Sequence, residues 1–190
     1  RLMSSSSNSV FERYQNKIIF FCVSFFALHW IFFISVHTIN VPYNMEFLAI
    51  ELVYNFVEHQ TSLVQELFIP FNQHLFVFPY LVMFSNLYFN SFDVVNLHFF
   101  QWPVYGAVLF FTYLLIKKTH KKLLWLLIPI SVFIFNPLIS SAENSFTGWQ
   151  SILPQLAIIA AIFLFDKKTI TITIFTICVI LGIIATFSSI

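Results

Sequence analysis

Apolar residues in this chain come in long unbroken runs and do not alternate with polar ones. Five such runs cover about 18–36, 93–116, 123–139, 149–165 and 169–190, each near the roughly 17–25 residues that a helix needs to cross a bilayer. A more polar stretch, 37–92, separates the first two and contains two shorter elements. Over 46–58, a period of 3.6 puts Glu51, Asn55 and Glu58 on one narrow stripe, while Phe47, Ile50, Leu52, Tyr54 and Val57 are apolar. That pattern suits a helix lying flat at an interface with its acids toward water. Residues 75–89 are apolar but short and divided by Pro79, which reads as a re-entrant or interfacial helix and not a span. The Ser-rich residues 1–10 are expected to be disordered. The expected fold is all-α: a polytopic membrane helical bundle of about five transmembrane helices, with interfacial helices in the first loop and residues 1–17 as a tail.

Composition excludes an ordinary water-soluble globule. The chain is 59% hydrophobic and 9% charged, with a mean hydropathy of +0.86, where soluble domains carry about 25% charge. The charges also give a direction. All nine Lys and Arg residues fall in three clusters, namely Arg1, Arg13 and Lys17, then Lys117, Lys118, Lys121 and Lys122, then Lys167 and Lys168. Six of the eight acids lie elsewhere: Glu46, Glu51, Glu58, Glu66 and Asp93 in the first gap, and Glu143 in the second. Basic clusters stay cytoplasmic, so the N-terminus is expected in the cytoplasm and residues 37–92 form an exported loop. A full crossing at 75–89 would place the KKTHKK run outside, against that rule. No basic face suited to nucleic acid exists.

The ends and the cysteines add little. The first run has basic flanks like a signal peptide, but it is too long and lacks a small-residue cleavage pattern, so a retained anchor is expected. The start at Arg1 and the end at Ile190 within an apolar run read as a fragment. Cys22 and Cys178 sit inside apolar runs and read as buried small hydrophobes.

Candidate chemistry collects in three exported clusters: PYNMEF (Pro42 to Phe47), PFNQHLFVFPYL (Pro70 to Leu81) and SAENSFTGWQ (Ser141 to Gln150). Taken singly, each has the composition of an ordinary membrane interface. The six histidines show no metal spacing, and the three glycines leave no phosphate loop and no nucleophile elbow.

In order and spacing, the clusters resemble polytopic membrane glycosyltransferases of the GT-C type. In one uncharacterised bacterial group of that type, a PYxDEW-like stretch is followed by SLxxLF, NEHRxxFPRL and ENxxWGxQ. The counterparts here are PYNMEF, then TSLVQELFIPFNQHLFVFPYL, then SAENSFTGWQ. Glu46, Asn72, His74, Pro79, Glu143, Asn144, Gly148, Trp149 and Gln150 match the motifs. Met45 and Gln73 stand where acids are expected, and Leu75 and Tyr80 where arginines are. The resemblance implies a bacterial cytoplasmic-membrane enzyme that transfers a sugar from a polyprenyl-phosphate donor, with membrane lipid as its surroundings. It assigns Glu46 as general base, and Asn72, His74, Glu143, Asn144, Trp149 and Gln150 to substrate binding. Mn or Mg is the candidate metal, with Glu46, His74 and Glu143 as ligands, although no spacing fixes it.

The competing reading is a non-catalytic membrane protein, either a transporter or a subunit of a membrane complex. Transporters place ionisable groups in their spans, whereas the apolar runs here hold no Asp, Glu, Lys or Arg at their centres. The topology predicts that Gln60→Cys and Ser145→Cys are labelled by an impermeant thiol reagent from outside, and that His120→Cys is not. Outside labelling at position 120 overturns it.

Overall fold

The structure is a computed structural model. It describes residues 4–38, 46–58, 61–70, 75–91, 93–136, 145–165 and 171–188, with the backbone alone for 4–13, 46, 49 and 145–148. The described residues are all-helical and contain no strand. In chain order the helices are α1 (Ser4–His37), α2 (Glu46–Glu58), α3 (Leu63–Leu67), α4 (Val77–Asn90), α5 (Val94–Thr119), α6 (Leu127–Ile134), α7 (Ser145–Phe165) and α8 (Ile172–Thr186), with a 3-10 segment, Lys121–Leu126, leading into α6.

α1 extends to Ser4, although the Ser-rich start was expected to be disordered. Once the apolar segment is helical, adding a residue gains a hydrogen bond without a new nucleation cost, and no Pro or Gly lies in 4–17 to stop it. Two helical segments, Tyr14–His37 of α1 and Val94–Thr119, are long and apolar enough to cross a membrane. On α1, Ile19, Ala27, Trp30 and Ile34 are buried at spacings of one or two turns. Phe20, Phe21, Phe25 and Phe32 are exposed on the other side.

α5 starts where Asp93 caps it: the carboxylate accepts from the Asn96 backbone N–H at 3.1 Å and from Asn96 Nδ2 at 2.8 Å. Such a cap satisfies donors that the first turn otherwise leaves open. Its buried residues Val94, Leu97, His98, Gln101, Tyr105, Val108 and Leu109 recur at the spacing of one helix face. Lys117 and Lys118 lie in the last turn of α5, where cations complement the helix dipole. The basic turn is therefore partly helix.

The main core joins α1, α5 and α7 with α2 and α4. At its centre Trp30 packs edge-to-face on Tyr105 at 5.6 Å, and Tyr105 meets Phe135 at 6.1 Å. A smaller cluster of Ile19, Leu124 and Leu127 ties α1 to the 3-10 segment and α6 near the basic residues. α7 packs against α5 and α8. Ala157 and Ala160 of α7 and Cys178 of α8 are buried, small side chains that allow backbones to approach.

Three boundaries differ from expectation. Pro79 does not divide the 75–89 segment but sits in the first turn of α4, where no i→i−4 bond exists for it to break. α7 begins at Ser145, four residues before the expected start at 149, so the end of the SAENSFTGWQ cluster is helical. The 123–139 run is helical through Ile134, and 137–144 fall outside the described residues.

Trp30 is fully buried, so Trp30→Ala is expected to cost about 3–5 kcal/mol, read by reversible denaturation in mixed micelles. Phe20→Ala, on an exposed face, is expected to stay within about 0.5 kcal/mol of the parent. Equal losses would contradict this packing.

Candidate functional site

The polar stripe of α2 does not face open water along its whole length. Glu51 and Asn55 are four residues apart and therefore neighbours on one helix face. Both line a cleft closed by α3 and α4. α3 is only five residues long and is held by its cap: Ser62 Oγ accepts from the Gln65 N–H at 3.2 Å, and Gln65 Oε1 accepts from the Ser62 N–H at 3.3 Å. This reciprocal pair fixes a short helix that would be unstable alone. It turns Glu66 inward, 6% exposed, where Glu66 Oε2 accepts from Asn55 Nδ2 at 3.4 Å.

α4 supplies the opposite wall. Its Tyr80 is buried and lines the cleft with Glu51, Asn55 and Glu66, above the apolar Leu48 and Leu52. Phe84, one turn on, packs edge-to-face on Phe56 of α2 at 5.3 Å and sets the distance between the two helices. The Tyr80 phenol is pushed above its usual value near 10, first by burial and second by the charge of Glu51. Both effects disfavour a phenolate, so Tyr80 is held as a hydrogen-bond donor. The cleft encloses 120 Å³, enough for a few waters at about 30 Å³ each. Two carboxylates, an amide and a phenol around such a space can accept and donate hydrogen bonds to hydroxyl groups, and a carboxylate can take a proton from one.

A second cavity of 480 Å³ lies along α4, between it and α5 and α7. Asn86 and Trp149 line it, with Ser85, Leu97 and exposed Phe89 and Phe100. Asn86 Nδ2 donates to the Asp93 carbonyl at 3.1 Å and ties the end of α4 to the start of α5. Between them Ser91 adopts the left-handed conformation, φ 52°.

Of the residues expected at a site, Trp149 and Gln150 have described side chains, and both are buried in α7. Trp149 faces the second cavity and not the carboxylate cleft. Glu46 opens α2. At about 100° per residue it stands roughly 140° around the helix from Glu51, on a different face. The side chain of Glu46 and the whole of Asn72, His74, Glu143 and Asn144 lie outside the described residues. The sequence reading did not select Glu66, Asn55 or Asn86. The available signal for Glu66 was Ser62-x-x-Gln65, a capping box that marks a helix start. Among the described residues no three His, Cys, Asp or Glu side chains converge as metal ligands.

Comparison with protein-family models, with curated proteins and with solved structures finds no match to this chain.

Removing the Glu51 charge removes one of the two causes that raise Tyr80. Glu51→Gln is therefore expected to lower the Tyr80 titration midpoint while burial keeps it above 10. The change is read as a difference in phenolate absorbance, with Tyr80→Phe identifying the Tyr80 signal. An unchanged midpoint would place Glu51 too far from the phenol to interact.

Proposed function

We propose that this chain is an integral protein of the bacterial cytoplasmic membrane that transfers a sugar from a polyprenyl-phosphate donor on the exported face. Its exposed surface supports the membrane setting. In the most apolar windows of Tyr14–His37 and Val94–Thr119, 17% and 22% of residues are buried. A core helix of a water-soluble protein would be mostly covered, whereas these carry Phe20, Phe21, Phe32 and Phe110 outward. Apolar faces of that size need a partner as apolar as lipid. In this reading α1, α5, the 3-10 segment with α6, α7 and α8 are the five spans, and α2–α4 lie on the exported side.

The observation that carries the enzymatic part is the carboxylate cleft of Glu51, Asn55, Glu66 and Tyr80. It is built from interfacial helices of the loop that the basic clusters assign to the outside. Its groups suit hydroxyls of a sugar. Glu46 is the proposed base by its motif match and not by the cleft, whose face of α2 it does not share; it takes the proton from the acceptor hydroxyl as that oxygen bonds to the anomeric carbon. The bond from the anomeric carbon to the phosphate oxygen breaks, and polyprenyl phosphate leaves with the electron pair. Attack from the side opposite the phosphate inverts the anomeric centre. Asn72, His74, Glu143, Asn144 and Gln150 are the proposed substrate contacts, while Trp149 faces the second cavity and not the cleft. Residues 18–116 contain no Lys or Arg. The residues assigned to Mn or Mg have side chains outside the described set, and no step is routed through a metal.

The test uses the protein in nanodiscs with polyprenyl-phosphate [14C]glucose and octyl glucoside as acceptor. Wild type is expected to form labelled disaccharide. Glu46→Gln should lose about 10²–10⁴-fold in kcat, the range for removing a general base, and Glu51→Gln should mainly raise KM. No transfer by the wild type, or full activity of Glu46→Gln, sinks the assignment in favour of a non-catalytic transporter or complex subunit.

A further inference from the structure

The second cavity carries two buried polar atoms of opposite type that have no hydrogen-bond partner among the described residues: Asn86 Oδ1, an acceptor, and Trp149 Nε1–H, a donor. Their side chains are 4% and 5% exposed, and both line the same 480 Å³ space. A buried polar atom left unpaired costs about 1–3 kcal/mol, so two at one cavity are unusual and point to an occupant. The volume lies within the roughly 300–1,000 Å³ of small-molecule pockets.

The chemistry of the lining selects the ligand class. None of the lining residues is ionisable at neutral pH, so neither a carboxylate nor an ammonium has a counter-charge there. A hydroxyl donates and accepts through a single atom, and so answers an amide oxygen and an indole N–H together. The rest of the lining is mainly apolar, and its rim includes Phe89 and Phe100, exposed by 76% and 54%. The cavity is thus continuous with the outward apolar surface, and the body of the ligand can lie along it.

We infer that this cavity binds an uncharged lipid through its free hydroxyl, with Asn86 Oδ1 accepting from the hydroxyl and Trp149 Nε1–H donating to it. The polyprenyl-phosphate donor is charged and is not this ligand. Asn86 is held by a bond that the ligand does not need, Nδ2 to the Asp93 carbonyl, which orients Oδ1 before binding.

The probe is a sixteen-carbon primary alcohol with a mid-chain diazirine, compared with its methyl ether and the matching carboxylic acid on the full chain in micelles. The alcohol is expected to label peptides of α4, α5 or α7, and the ether and acid about five-fold less, the equivalent of one neutral hydrogen bond. Trp149→Phe and Asn86→Leu should each reduce alcohol labelling by a similar factor. The ether comparison requires no variant, so it decides the matter even if Asn86→Leu fails to fold. Equal labelling by alcohol and ether, or labelling unaffected by a folded Trp149→Phe, overturns the inference. No sugar donor is present, so the result is independent of the transferase reading.

Discussion

The helices of this chain carry more apolar surface than they can bury against one another, and that excess governs where many of the polar groups are placed. α1 covers Trp30 and Ile34 completely yet leaves Phe20, Phe21 and Phe32 outward. α8 packs on α7 and exposes Ile172, Phe175 and Ile180. With the outside mostly apolar, many of the described polar side chains sit at helix ends or on inward seams, while His29 of α1 and Thr176 of α8 stay exposed. The seam of α5 shows the second case: the Tyr105 hydroxyl donates to Gln101 Oε1 at 3.5 Å. In the proposed membrane setting such groups satisfy one another because lipid offers them no partner.

The short helices between α1 and α5 follow a different rule. α2, α3 and α4 are amphipathic or capped pieces, and in the proposed topology they stay on the exported side because a crossing at α4 would carry the KKTHKK run outside. Their order comes from packing on one another, through Phe56 on Phe84, and from the Ser62–Gln65 cap. This leaves the carboxylates of α2 and α3 facing a common cleft. Each end of the segment carries its own constraint, and Leu52, Tyr80, Met83 and Phe84 also pack into the core shared with α1, α5 and α7.

How much of this was legible depends on the kind of signal. The α2 stripe was visible because a 3.6-residue period is a property of sequence alone, and Glu46–Glu58 is the helix found. The first and second long apolar segments were visible from their unbroken apolar runs, whereas the cap at Asp93 came only from the structure. Pro79 was misjudged because the cost of a proline depends on its position in the helix: at the third residue of α4 it breaks nothing. Glu66 was hidden because a five-residue helix has no period to detect. The unpaired atoms of Asn86 and Trp149 were beyond reach, since they come from different helices and their lack of partners is a tertiary property. The site expected from motif order falls largely outside the described residues. Trp149 and Gln150, the parts whose side chains are described, stand at the expected start of the 149–165 run and are buried in α7.

α4 connects these observations. Tyr80 and Asn86 are six residues apart, so at about 100° per residue they point roughly 120° away from each other. One lines the carboxylate cleft and the other the second cavity. Tyr80, Met83 and Phe84 hold α4 against the core, and its two ends are fixed as well. At the C-terminal end the Asn86 bond to the Asp93 carbonyl and the left-handed Ser91 do this, with a conformational cost of about 1–2 kcal/mol at a non-glycine residue. At the N-terminal end Pro79 limits the first turn to the helical φ. The features that looked like interruptions in the 75–93 sequence therefore help to hold α4 in place, and the two cavities exist because α4 is held.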